Sequence, residues 1–138
     1  MGAAKGAAKG AARGAARGAA MIDEIICEAT VLLNNRKNWG RGSWARDKDG
    51  DVIKPTSEDA AKWDLEGAIY RASWDLGHGL DGATGAIEHL QERAGGKSLQ
   101  SINDDGGYHE VMRVLRCSII PKETTESMMT YVREGILA

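Results

Sequence analysis

The chain has no phenylalanine, two prolines and two cysteines in 138 residues. Two cysteines build no disulfide framework, so Cys27 and Cys117 read as reduced thiols of a cytoplasmic protein, with a single bridge left open. No apolar run approaches the ~18 residues of a membrane span. The basic N-terminus lacks the apolar stretch of a secretory leader. Gly6 stands where a myristoylation signal wants Ser or Thr. Among His78, His89, His109, Cys27 and Cys117 there is no CxxC, HxxxH or HExxH spacing. Gly77-His78-Gly79 and Gly82 lack the preceding strand that a phosphate-binding loop requires. Neither a cofactor nor a metal is expected, and no catalytic residue is assigned.

What the first twenty residues do contain is a four-residue repeat, GAAK, GAAK, GAAR, GAAR. Lys5, Lys9, Arg13 and Arg17 give this arm +4; the whole chain carries −2, so the remainder carries −6. An acidic body is not built to hold nucleic acid, which leaves those four cations as the candidate phosphate contacts. Alanine favours helix, but each glycine costs about 0.8–1.0 kcal/mol relative to it. The arm also has no apolar face to dock. It is expected to be flexible or fractionally helical, either disordered or an added extension, with residues 21–138 forming a single helical domain.

From Met21 the period is helical. Ile22, Ile25, Ile26, Ala29, Leu32 and Leu33 make one stripe, with Asp23, Glu24 and Glu28 off it. The spacing predicts an amphipathic helix ending near Asn34-Asn35. Trp39 to Pro55 is irregular, with a turn signal at Asp47-Lys48-Asp49-Gly50. Its flanks, Ser43 to Arg46 and Asp51 to Lys54, are expected to pair as a small hairpin. Pro55-Thr56-Ser57-Glu58-Asp59 predicts a helix start capped by Thr56 or Ser57. That helix carries Ala61, Leu65, Ala68 and Ala72 on one face and Trp63, Tyr70 and Trp74 on another, which makes it central. Gly67-Ala68 predicts close approach by a neighbour. Leu80, Ala83, Ile87 and Leu90 mark a third helix, capped by Asp81 and ended by Gly95-Gly96. Tyr108, Val111, Met112, Leu115 and Ile119 mark a fourth, capped by Asn103-Asp104-Asp105 and stopped by Pro121. Met128, Met129, Val132 and Ile136 mark a shorter fifth after Thr124 or Thr125. The expected fold class is all-α: a compact bundle-like domain of roughly four to five helices with an irregular or small-hairpin insertion at about 39–55.

Trp39, Gly42, Ala45-Arg46-Asp47 with Gly50, Pro55, Ala60 with Trp63, Gly67-Ala68 and Asn103-Asp104 follow one another ahead of the helix from Tyr108. In this order they resemble a family of small bacterial and phage proteins known only as a domain of unknown function, over about Ile22 to Ile120. Asp64 stands where that family often has Cys, and Ile102 where it often has Trp; the first departure weakens any thiol site. The resemblance implies a small all-helical domain and supplies no activity.

Three constellations bear on function. Asp47, Asp49 and Asp51 occupy positions 1, 3 and 5 of a calcium loop and Glu58 position 12, but Val52 stands where that loop needs glycine. Solvated turn acids are the plainer expectation. Asp47, Asn103 and Asp104 could meet as the polar site of an enzyme, against the plainer reading of turn and cap hydrogen bonds. Trp63 and Trp74 fit core or near-core positions, whereas Trp39, Arg41, Trp44 and Arg46 cluster in the irregular segment. Tryptophan and arginine dominate protein-binding hot spots. The expected function is a small soluble module, accessory or regulatory, that binds a protein partner through these four residues. Nucleic-acid binding through the arm and an enzyme using Asp47, Asn103 and Asp104 are the alternatives; no membrane is involved, and the oligomeric state stays open.

Overall fold

A sustained apolar stripe needs a helix to bury it, and α1, Gly2–Asn34, does so with Ile25, Ile26, Ala29 and Leu33 inside and Ile22 and Leu32 at the margin. The computed structural model describes residues 2–119, with side chains from residue 18 onward. The expected fifth helix, Pro121 and the side chains of Lys5, Lys9, Arg13 and Arg17 lie outside the described residues. α1 takes in the Gly-Ala repeat as well as the segment from Met21. At its far end, Tyr108 donates its hydroxyl to the Leu33 carbonyl at 2.7 Å, satisfying one of the carbonyls a helix end leaves open. A single 3₁₀ turn, Arg36–Asn38, follows, with the Asn35 side chain accepting from the Lys37 N–H.

The domain is mostly helical and not purely α. β1, Ala45–Asp47, pairs antiparallel with β2, Ala60–Trp63, with Ala45 opposite Trp63 and Asp47 opposite Ala60. The second strand is therefore not Asp51 to Lys54. That stretch meets β1 through the Arg46–Val52 bridge, the Ile53 N–H bond to the Ala45 carbonyl and the Asp47–Asp51 turn bonds, without forming a strand. Nor does a helix begin at Thr56 or Ser57. The Ser57 hydroxyl instead accepts from the Asp59 N–H at 3.2 Å and closes a local turn, the usual competition between a short polar side chain and helix. Residues 60–63 then run extended, because both sides of β2 find backbone partners. Trp63 donates its indole N–H to the Pro55 carbonyl and accepts at its own carbonyl from Gly40, while the Asp64 N–H bonds the Trp44 carbonyl.

α2, Leu65–Asp75, starts well after the expected cap at Thr56 or Ser57, with Asp64 as its cap accepting from the Gly67 N–H at 2.6 Å. Leu65, Ala68, Ile69 and Ala72 face inward. Trp63 is buried as expected, but Trp74 is 62 % exposed, since it shares the outer face with Tyr70, four residues earlier. α3, Gly79–Arg93, keeps Asp81 in its first turn; His78 holds the cap position without a capping bond, its ring instead meeting the Glu24 carboxylate at 3.2 Å. Gly95 and Gly96, both at positive φ, end it. α4, Leu99–Ser118, is capped by Ser98, so Asn103-Asp104-Asp105 lie within it. Gly107, at φ 82° and ψ −179°, breaks α4 into two pieces. Every helix touches the other three.

The close approach at Gly67 is met by the Trp44 backbone: a Cβ placed there would lie 1.8 Å from the Trp44 carbonyl oxygen. Backbone cannot rotate aside as a side chain would. Gly67→Ala is expected to cost about 1–3 kcal/mol or more. Gly85→Ala, whose Cβ would make ordinary 3.6 Å contact with Ile22 in a helix interior, is expected to gain up to about 1 kcal/mol. Urea midpoints of the two variants measure both.

Candidate functional site

The irregular segment is pinned from below by one buried amide. Asn103 is fully buried and uses every hydrogen-bonding position it has. Its Oδ1 accepts from the Trp39 indole at 2.7 Å and the Leu65 N–H at 2.9 Å; its Nδ2 donates to the Gly40 carbonyl at 3.0 Å and to Asp104 Oδ1 at 2.9 Å. Trp39 also meets the Tyr108 ring edge-on at 5.7 Å, and the Arg41 guanidinium lies over its indole at 5.0 Å. Trp39 and Arg41 are therefore tied into the fold. Arg46 gives its guanidinium to the Gly50 carbonyl at 2.9 Å. Of the four candidate contact residues, Trp39 and Arg46 are half-buried while Arg41 and Trp44 are exposed, and Trp44, at 48 %, is the exposed apolar one.

Asp47 accepts from the N–H groups of both Asp49 and Asp51 at 2.9 Å, so one of the three acids organises the turn. Among the described residues no group of three or more His, Cys, Asp or Glu is placed to hold a metal ion. Asn103 and Asp104 lie side by side, but Asn103 has no donor or acceptor left for a substrate. Cys27 is half-buried and Cys117 exposed, and they form no disulfide.

An open, mostly apolar groove of about 950 Å³ lies beside Trp44. The Trp44 and Tyr70 rings, 4.9 Å apart, form one wall; Val52, Ile53, Pro55 and Leu80 add apolar surface, and Lys54, Thr56 and Ser57 also line it. Val52 and Leu80 are 67 % and 69 % exposed. The loop that forms its floor is held in shape: Arg71 donates to the Ser57 carbonyl at 2.8 Å and Trp63 to the Pro55 carbonyl at 2.9 Å. Sequence reasoning found Trp44 and missed the rest. Val52-Ile53 and Leu80 are short apolar spots with no periodic pattern to link them, and their meeting depends on the extended fold of 55–63.

Behind Trp44 lies a smaller polar pocket of about 250 Å³, lined by Gly42, Ser43, Trp44, Asp64, Glu66 and Gln100. Glu66 accepts the Trp44 indole N–H at 3.1 Å. Burial pushes the Asp64 carboxyl up to about 7; the Gly67 N–H pulls it back in part, and the charges of Glu66 and Asp104 push it further up. Burial, and then Glu66, also raise the Tyr70 hydroxyl above its ordinary value.

Removing the Asn103 amide leaves the Trp39 indole, the Leu65 N–H and the Gly40 carbonyl without their partner. Asn103→Ala is expected to lose about 2–5 kcal/mol, summed from roughly 1–3 kcal/mol per stranded buried group with partial recovery by water, read as a shift in urea midpoint. Asp64 binds its proton more tightly folded than unfolded, so its contribution to stability is full below the ordinary carboxyl pKa of 3.8 and is lost as pH rises through about 7. Asp64→Asn keeps an oxygen for the Gly67 N–H and cannot ionise. Its stability relative to wild type should therefore improve between pH 5 and pH 8; an unchanged difference in urea midpoint at the two pH values would contradict a raised pKa.

No curated protein and no solved structure matches the chain. Residues 19–119 match a family of unknown function, a span that holds the Asn103 network, the groove and the polar pocket. That coverage is most of the molecule, and the chain belongs to the family of unknown function DUF6197.

Proposed function

We propose that the chain is a small soluble, cytoplasmic module, accessory or regulatory, that binds a partner protein in the groove walled by Trp44 and Tyr70. The observation that carries this reading is the groove itself, where Trp44, Val52 and Leu80 hold large apolar surface in water on a loop anchored from beneath. An exposed apolar patch of this kind costs solubility and marks an interaction surface in most folded domains. A Trp at the centre of such a patch supplies contact area with little rotamer entropy to lose. The contact surface is thus narrower than the Trp39, Arg41, Trp44 and Arg46 cluster, and it recruits Tyr70, Val52 and Leu80 in place of the other three.

The test is affinity capture from host lysate with wild type, Trp44→Ala, Leu80→Ser and a chain starting at Met21. The groove variants should retain their fold, since exposed side chains rarely contribute more than about 0.5 kcal/mol. They should lose a protein that wild type and the shortened chain both retain. Identical capture by all four sinks the groove as the contact surface. Salt-sensitive capture of nucleic acid that ends with removal of residues 1–20 would move function to Lys5, Lys9, Arg13 and Arg17.

A further inference from the structure

Three of the four indoles spend their N–H on groups of the same molecule: Trp39 on Asn103, Trp44 on Glu66 and Trp63 on the Pro55 carbonyl. Trp74 is the exception. At 62 % exposure, its indole makes no hydrogen bond and no ring contact among the described residues. It lies one turn along α2 from Tyr70, and so flanks the groove that Tyr70 walls without lining it. One face thus carries an apolar knob with a mostly apolar hollow beside it. At about 950 Å³ the hollow has room for an indole. It also offers that indole an acceptor, since the Thr56 hydroxyl lines it and makes no hydrogen bond among the described residues. A knob and a hollow side by side on one surface are self-complementary: a two-fold axis passing between them sets each copy's knob against the other's hollow.

We propose that the occupant of the groove is a second copy of this chain, paired about a two-fold axis, with Trp74 of each copy seated in the groove of the other. The proposal rests on the groove being the docking surface and names what docks there. A peptide lying in the groove would leave Trp74 in water; a second copy covers knob and hollow with one contact used twice. The area suffices. The exposed fractions of Trp44, Val52, Trp74 and Leu80 come to roughly 500 Å² of apolar surface. That matches the apolar share, about 55–65 %, of the roughly 800 Å² each partner contributes to a standard interface. Charge does not oppose the pairing. Lys54, Glu58, Asp59 and Asp75 are exposed on the elements that build this face, with Arg71 half-buried among them, so both signs are present. The whole chain carries only −2, and no single-sign field separates two copies.

The experiment is sedimentation equilibrium of the full chain over concentrations of about 1 to 100 μM, where interfaces of this size dissociate measurably. The mass should rise from 14.8 kDa toward twice that value. Trp74→Ser removes the knob and Leu80→Glu spoils the hollow; both side chains are exposed, so the fold should survive. Each variant should associate about a hundredfold more weakly or worse, because a symmetric pair loses the contact twice. Mixed together, the two variants should associate more tightly than either does alone, since the intact knob of one still fits the intact hollow of the other. A chain that stays at 14.8 kDa at every concentration overturns the second copy and leaves the groove to a different protein. Association that survives both substitutions overturns pairing through this face. Loss in both variants without recovery in the mixture overturns the reciprocal insertion of Trp74.

Discussion

A primary amide can accept two hydrogen bonds and donate two, and Asn103 spends all four on different pieces of the chain. It holds the Trp39 side chain, the Gly40 backbone, the first N–H of α2 and its own neighbour Asp104. Those groups lie 38 to 64 residues away in sequence, Asp104 excepted. Inside a protein such bonds are electrostatically stronger than in water, and an unpaired partner is correspondingly costly. The irregular segment therefore has one register available to it. Asn103 can reach these groups because it lies on the first piece of α4, and Gly107 turns the second piece away; the Arg41 guanidinium closes over that turn, within 3.2 Å of where a Gly107 Cβ would lie.

From this anchor the outer structure follows by close packing. Fixing Trp39 and Gly40 places Gly40 against β2, and β2 pairs with β1 on its other side. The Trp44 carbonyl is then pressed onto α2, where only glycine at position 67 leaves room. The cap of α2, Asp64, lies in the same contact, and its backbone N–H bonds that carbonyl. With the backbone of Trp44 held so tightly, its indole has nowhere to go but outward. It meets Tyr70 and forms the wall of the groove.

The functional reading comes from this asymmetry. The inner side of the Trp39–Asn103 region is closed, with polar groups paired and rings stacked, while the outer side leaves Trp44, Val52 and Leu80 in water. Folding alone does not account for surface of that kind, since most of the Val52 and Leu80 side chains stay in water. Membership of DUF6197 places the anchor and the groove within the matched span and gives no activity of its own. No helix among the described residues is long and apolar enough to cross a membrane, so the apolar patch is not part of a helical span. Beside it lies the polar pocket lined by Asp64 and Glu66, and Lys54 lines the groove itself.

Local pattern was enough wherever burial needs only a helix and a stripe. The apolar face of α1, the inner face of α2 from Leu65 to Ala72, the glycines that end α3 and the close approach at Gly67 could all be read from spacing. Each depends on residues within one or two turns of one another. What spacing could not show was decided by partners far apart in the chain. Residues 60–63 carry helix-forming alanines and a preceding set of capping side chains, yet they are a strand, because Gly40 and β1 offer them backbone bonds on both edges. Asn103 looked like a cap and is a buried anchor, since its partners come from the far side of the fold. Trp74 looked internal and is exposed because α2 begins after Asp64 and turns that face outward. The sequence by itself determined that helices would dominate and which faces they would bury, through short-range periodicity. Tertiary structure alone decided the strand, the anchor and the groove, because each is made by hydrogen bonds or contacts that no local window contains.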